Sequence, residues 1–353
     1  MKESFIASPD RKPSPGFVRT VLRLIARVLL GIVLLGMILW GALAIYYSNL
    51  SSASLCTLLS YAFAGGSAIL LLFLRPRRRA VLSFFVVFAV LVLWWLSIPP
   101  SQDQDWQPDV AVLPYATFAG DLVTIHNIRD NDYRSETDYT PRYYDRTVDL
   151  SKLRTMDMFI SFWGSPYIAH TIMSFGFEGG DYVAVSIETR KTKDEEYSAI
   201  KGFFKQYELF YVVSDERDVV RLRTNYRGEG VYVYRLRGAP GSPPDLQRKI
   251  FLDYFKYINY LHEHPVWYNA FSHNCTTAIR THVAPYALRS WWSWKILVNG
   301  YLDKLLYDKK AIDQSLPLAE LKARSHINER AKAANDAPDF SKKIRAGVPG
   351  MEK

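Results

Sequence analysis

Phe271-Ser272-His273-Asn274-Cys275-Thr276-Thr277-Ala278-Ile279-Arg280 is the stretch on which the fold turns. Asn274 is a good N-cap, and Thr276 to Arg280 carry the chain into a helix that must stop before Pro285. Cys275 therefore opens a helix. There, unpaired backbone N–H groups and the helix dipole favour a thiolate and could also receive the negative oxygen of a tetrahedral intermediate. The bland alternative is a small buried apolar residue, which is how most free cysteines behave.

Working upstream, Asp245 to Glu263 has helical spacing in Leu246, Ile250, Leu252, Phe255 and Ile258. Before it stand strand candidates at Val231 to Leu236 and Tyr207 to Ser214, separated by a polar stretch, Asp215 to Arg227, that reads as a short helix or loop. His170 to Phe177, the turn Glu178-Gly179-Gly180-Asp181 and Tyr182 to Arg190 read as a hairpin. Ala119 to Arg129 and Met156 to Trp163 are earlier strands, with a Tyr- and Asp-rich loop, Asp130 to Asp149, between them. Strands followed by helices in this order predict an α+β domain with an antiparallel sheet. The tail after Glu320 is charged and short of large apolar residues, so it is expected over the surface or disordered.

His170 opens one strand of the hairpin, and Tyr182, Ala184, Ser186, Glu188 and Arg190 share a face of the other. A catalytic imidazole needs a third polar group to fix its tautomer. Glu188 is the favoured third member and Ser186 the alternative. The structural reading of the same residues pairs Glu188 with Arg190 or Arg223 and leaves His170 as a strand end. His126 and His273 compete for the role of base. His126 lies in Ile125-His126-Asn127-Ile128-Arg129, an unusually polar strand end that, with Asp132 and Arg134, could line a pocket. The candidate substrate-binding residues are His126, Asn127, Arg129, Tyr167, Ser186, Asn274 and Thr276. No pair of histidines has a familiar metal spacing with acidic neighbours, and there is no phosphate-binding glycine loop, so neither metal nor cofactor is expected.

The first hundred residues are of another kind. Apolar stretches at about 28–47, 55–74 and 80–98 are each near the length that spans a bilayer as a helix. Basic residues precede the first (Lys2, Arg11, Lys12, Arg19, Arg23, Arg27) and fill the loop Arg75-Pro76-Arg77-Arg78-Arg79 between the second and third, whereas Ser48 to Ala53 carries no charge. The positive-inside rule then puts the N-terminus and the arginine loop in the cytoplasm, and three crossings deliver the rest of the chain to the far side. The organisation expected is an anchor over 1–100, a linker over 101–117, a catalytic domain over 118–320 and the tail over 321–353. The net charge of +9 belongs to the anchor, since residues 1–100 hold ten Lys and Arg against two Asp and Glu, leaving 34 against 33 beyond. A nearly neutral domain argues against nucleic acid as a partner. In an oxidising compartment an unpaired cysteine is a liability that a chemical role explains, and Cys275 has no partner in its domain, Cys56 lying within a span.

The order strand histidine, polar third member, then Asn-Cys at a helix start resembles the circularly permuted papain-like fold of the lecithin:retinol acyltransferase group. More closely, Trp163-Gly164-Ser165-Pro166-Tyr167-Ile168-Ala169-His170, Ser174-Phe175-Gly176-Phe177, Ser186-Ile187-Glu188-Thr189-Arg190 and Asn274-Cys275-Thr276-Thr277 resemble the bacterial family named for the Lnb N-terminal periplasmic domain. That family includes lipoprotein N-acyltransferases. The resemblance implies a Cys-His pair, a bacterial inner-membrane anchor with the domain in the periplasm, a membrane phospholipid as acyl donor, and a lipoprotein or other envelope molecule as acceptor. Trp291-Trp292-Ser293-Trp294 could sit at headgroup level, where such rings are favoured, or simply pack. Two rival classes use the same residues: a cysteine amidase or peptidase acting on cell-wall peptide, and a membrane-tethered binding module without catalysis.

Overall fold

The computed structural model describes residues 15–50, 52–238, 240–271, 275–286 and 293–351. The chain divides into two units, Met1–Pro99 and Pro100–Lys353. The first holds three helices, α1 (Pro15–Tyr46), α2 (Ala53–Phe73) and α3 (Arg77–Ser97). Each contains a stretch long and apolar enough to cross a membrane. Most of their large side chains, among them Leu35, Leu58, Phe73 and Leu93, point outward, as lipid-facing residues do. Inside the unit, helices approach closely where side chains are small. A Cβ on Gly41 would collide with the Phe63 ring and with Leu91, and the Ser60 hydroxyl donates to the Ala42 carbonyl at 2.8 Å.

The second unit is built on a sheet of β1 (Tyr115–Ala119), β2 (Leu122–Arg129), β5 (Tyr143–Asp149), β6 (Leu153–Phe162), β7 (Ala169–Phe177), β8 (Tyr182–Arg190), β9 (Glu208–Ser214) and β10 (Gly230–Arg235), with a small separate ribbon of β3 (Asp132–Tyr133) and β4 (Tyr139–Thr140). The spatial order is β1-β2-β9-β8-β7-β6-β10, with β5 also on β2. All pairs are antiparallel except β2 with β9, which meet only at Arg129 and Ser214. Every residue of β7 and of β9 is buried. The reason is that both faces are covered. On one, Met158, Ile160, Met173, Phe175, Val185 and Val213 pack under α5 (Leu246–Glu263) and α6 (Cys275–Val283). On the other, Phe159, Ile172, Ala184, Val231 and Val233 pack under α4 (Glu216–Arg221) and the C-terminal segment.

Three sequence expectations need correction. Residues 321–351 are neither disordered nor superficial. After the short helices α7 (Trp294–Leu297) and α8 (Leu302–Asp308) come α9 (Leu318–Ser325), α10 (Asn328–Ala333) and α11 (Phe340–Arg345), and Ile327, Ala331, Phe340, Ile344 and Val348 complete the second core. Charge clinches the docking: buried Arg345 bonds Asp157 at 2.8 Å and Glu216 at 2.6 and 2.7 Å. Low overall hydrophobicity hid a few well-spaced apolar residues. Residues 101–117 are not a free linker either. Trp106 is buried under the Arg190 guanidinium, 4.1 Å from its ring, Gln104 donates to Glu208 at 2.9 Å, and Gln102 donates to the Leu261 carbonyl at 2.8 Å. Nor is 130–149 all loop, since it supplies β5, which pairs along β2.

Candidate functional site

The pairing of β7 with β8 runs from Gly176 opposite Tyr182 to Ile172 opposite Ser186 and stops there, although β7 continues to Ala169 and β8 to Arg190. The two strands part, and His170 and Glu188 stand on either side of the opening. His170 shares strand parity with Ile172, whose side chain belongs to the second core, whereas Cys275 comes from a helix of the first. Each group shifts the other's ionisation, so thiol and imidazole meet at this opening.

A chain of contacts extends from the imidazole. Its Nε2 lies 2.7 Å from Ser186 Oγ and 3.2 Å from Glu188 Oε1. The Ser186 hydroxyl donates to Glu188 Oε1 at 2.6 Å, and the buried Arg223 guanidinium donates to the same oxygen at 2.6 Å. Both readings of Glu188 thus hold together: it faces the imidazole and it pairs with Arg223. Ser186 and Glu188 are not alternatives either, because the hydroxyl bridges the other two.

The electrostatics follow from burial and charge. Burial works against ionised Glu188, but His170 and Arg223 outweigh it and hold the carboxyl well below its usual range. Burial likewise works against the imidazolium, and Glu188 overcomes it, so the His170 pKa is raised to about 9. Burial pushes the Cys275 thiol up, while the hydrogen bond and charge of His170 bring it down to about 7. Between those values the pair rests as thiolate and imidazolium. That is the state a sulfur nucleophile needs.

Asn299 is the residue that sequence reading missed. Its Oδ1 accepts from the Ala169 N–H at 2.7 Å, and its Nδ2 donates to the Ala169 carbonyl and, at 3.0 Å, to Thr276 Oγ1, while lying 3.8 Å from Cys275 Sγ. The side chain takes the place of a neighbouring strand for Ala169, where β8 has turned away, and ties the histidine strand to the cysteine helix. Both N–H groups of the amide are engaged, so Asn299 positions the pair and does not serve an oxyanion. Beside it, Gly300 N–H donates to the Tyr167 carbonyl at 3.0 Å, an approach so close that a Cβ there would strike the Pro166 carbonyl oxygen. The only signal in the sequence was the dipeptide Asn299-Gly300 itself, which by its type alone reads as a turn.

The site opens on a cavity of about 570 Å³ whose wall includes Cys275, His170, Glu188 and Asn299. Its lining combines the apolar Trp163, Ile168, Tyr197, Phe203 and Tyr268 with Arg129, Lys191, Arg223 and Arg227 and with Asp109, Glu136 and Glu229. Arg129 lines the cavity, and its guanidinium is held by buried Asp218 through two bonds of 2.8 Å. Thr276 is buried and accepts from Asn299, and it faces a smaller apolar cavity of about 110 Å³ between α6 and β6. Tyr167 is exposed in the loop beside Ile168.

His126 and Asn127 belong elsewhere. They sit at a bulge in β2, where the register with β5 shifts and Asn127 has φ +61°. His126 Nδ1 is 2.7 Å from Asp145, its ring stacks on Tyr115 with centroids 4.4 Å apart, and Asn127 N–H donates to Asp145 at 3.0 Å. The polar run that suggested a pocket builds a bulge, and neither residue lines the cavity. His273, Asn274, Trp291 and Trp292 lie outside the described residues, as does the Trp294 side chain.

Fold and site together define a membrane-anchored α+β protein whose soluble unit holds a thiol, an imidazole and a carboxylate in one chain of contacts at a helix start. Residues 139–299 match the family model described as the Lnb N-terminal periplasmic domain. The match contains Cys275, His170, Glu188, Ser186, Arg223 and Asn299. Comparisons with curated proteins and with solved structures found no match.

Proposed function

We propose that the soluble unit is a permuted papain-like thiol acyltransferase of the bacterial inner membrane, facing the periplasm. The observation that carries this reading is Cys275, at the first residue of a helix, sharing the wall of an open cavity with an imidazole that is itself held by Ser186 and Glu188. In the first half-reaction the thiolate adds to an ester carbonyl of a membrane phospholipid, and backbone N–H groups at the start of α6 receive the oxyanion. As the carbon–oxygen ester bond breaks, imidazolium gives its proton to the departing lysolipid alkoxide, leaving an acyl thioester on Cys275 and neutral His170. In the second, His170 takes a proton from an amine or hydroxyl of a lipoprotein or other envelope acceptor as that group attacks the thioester. The amide or ester leaves, and the thiolate returns with its imidazolium. The three spans supply the membrane in which donor and acceptor reside.

The test is to incubate the full chain in membranes with acyl-labelled phospholipid and to look for label on Cys275. Label that is released by neutral hydroxylamine, and absent from Cys275→Ala, is the expected result. Release of cell-wall peptide fragments with no lipid-derived thioester would overturn the assignment in favour of an amidase.

A further inference from the structure

The loops that frame the cavity are unusually apolar for a surface. Eleven large hydrophobic side chains of the soluble unit are exposed among the described residues, and six of them fall in two short segments: Trp163, Tyr167 and Ile168 between β6 and β7, and Tyr197, Ile200 and Phe203 between β8 and β9. Their exposures run from 43% to 56%. The segments are not far-flung, because Trp163, Ile168, Tyr197 and Phe203 all line the same cavity as Cys275. Scattered exposed residues need no explanation, but an aromatic and aliphatic rim gathered around one opening does.

Two further features say what covers it. Lys191 lines the cavity and Lys201 follows Ile200, and neither has a carboxylate partner among the described residues. Trp, Tyr, Phe and Ile interleaved with unpaired lysine is the composition of a segment that lies at a lipid–water interface, rings at headgroup depth and ammonium groups among the phosphates. The same chain also carries three helices able to span a bilayer, so a lipid surface is always within reach of the domain. We infer that the 163–168 and 197–203 segments dock on the surface of the bilayer and open the Cys275 cavity directly onto its lipids. A phospholipid then reaches the thiol by rising from its own leaflet along the apolar wall, its acyl ester never crossing water. This deepens the acyl-transfer reading, on which it rests for the purpose of the rim but not for the rim's contact with lipid.

The experiment places a photoactivatable benzophenone side chain at Ile168, Ile200 or Phe203 of the full chain in native membranes. The control is Phe118, an exposed hydrophobic of β1 that does not line the cavity. After illumination, lipid adducts about tenfold more abundant at the three rim positions than at Phe118 are expected of an interfacial segment. Ile200 stands clear of the cavity wall, so its result holds even if the cavity positions tolerate the label poorly. Adducts no more abundant than at Phe118, or adducts on a protein in place of lipid, overturn the inference. Cys275→Ala should leave the adducts unchanged, which separates the two claims. Lipid adducts without a thioester on Cys275 would sink the chemistry and keep the rim, and a thioester without rim adducts would do the reverse.

Discussion

At the scale of single residues, the site is a balance in which each charge sets its neighbour. Because the thiol pKa is lowered to about 7 and the imidazole raised to about 9, the ion pair forms as pH rises through the first value and is lost as pH rises through the second. Alkylation of Cys275 should therefore be half-maximal near pH 7 and not near the ordinary thiol value of 9.0, and acyl transfer should show a bell between the two limits. Replacing Glu188 by Gln removes the anion that sustains the imidazolium and leaves Arg223 beside it. The imidazole pKa must then fall and the thiol pKa rise, so the bell should narrow from both sides, which a pH–rate profile reads directly. Asn299→Ala unties the two elements that carry the pair. Loss of about a hundredfold in kcat/KM is expected from a displacement of an ångström or so, with the alkylation profile moving toward that of a free thiol. A change confined to stability, with the profile intact, would make Asn299 a packing residue only.

At the scale of elements, the sheet does two jobs with one irregularity. Paired with both β6 and β8 over Ile172 to Gly176, β7 is a core strand, and from Ala169 to Thr171, paired with β6 alone, it lends backbone and His170 to the site. The hairpin, its histidine and its acidic residue were legible in the sequence because period and turn chemistry are local signals. The helix at Cys275 was legible for the same reason. Asn299 was not, since nothing local distinguishes an amide that finds its partner 130 residues away. The tail was misjudged because its composition is polar on average while Ile327, Phe340 and Ile344 are fully buried. Arg345 is the sharpest case: it sits between Asp157 and Glu216, both fully buried, and its own pKa is raised because these carboxylates outweigh the burial. Arg345→Met leaves Glu216 without its cation in the core, Asp157 keeping Arg235, and should cost about 3–5 kcal/mol of unfolding free energy, measured by denaturation in the membrane-extracted protein.

At the scale of the whole molecule, anchor and soluble unit divide the labour of address and chemistry. Basic residues flank the first span and fill the turn between the second and third, so a compartment-sensitive phosphatase reporter joined after residue 351 should be active only when exported. Exchanging Arg75, Arg77, Arg78 and Arg79 for glutamates should lower that signal by weakening the retention of the turn on the cytoplasmic side. The near-neutral charge of the domain leaves docking to local features of its surface.

Arg345 also sets the timetable by which the protein matures. It is separated by 129 residues from Glu216, so a polypeptide delivered N-terminus first presents that anion long before its cation arrives, whereas Asp157 also has Arg235, 78 residues away. The second core therefore stays open until the C-terminal segment docks. Closing it is a late, long-range step of folding, so a chain cut before Arg345 should lose the cover of Phe159 and Ile172 and not merely its end.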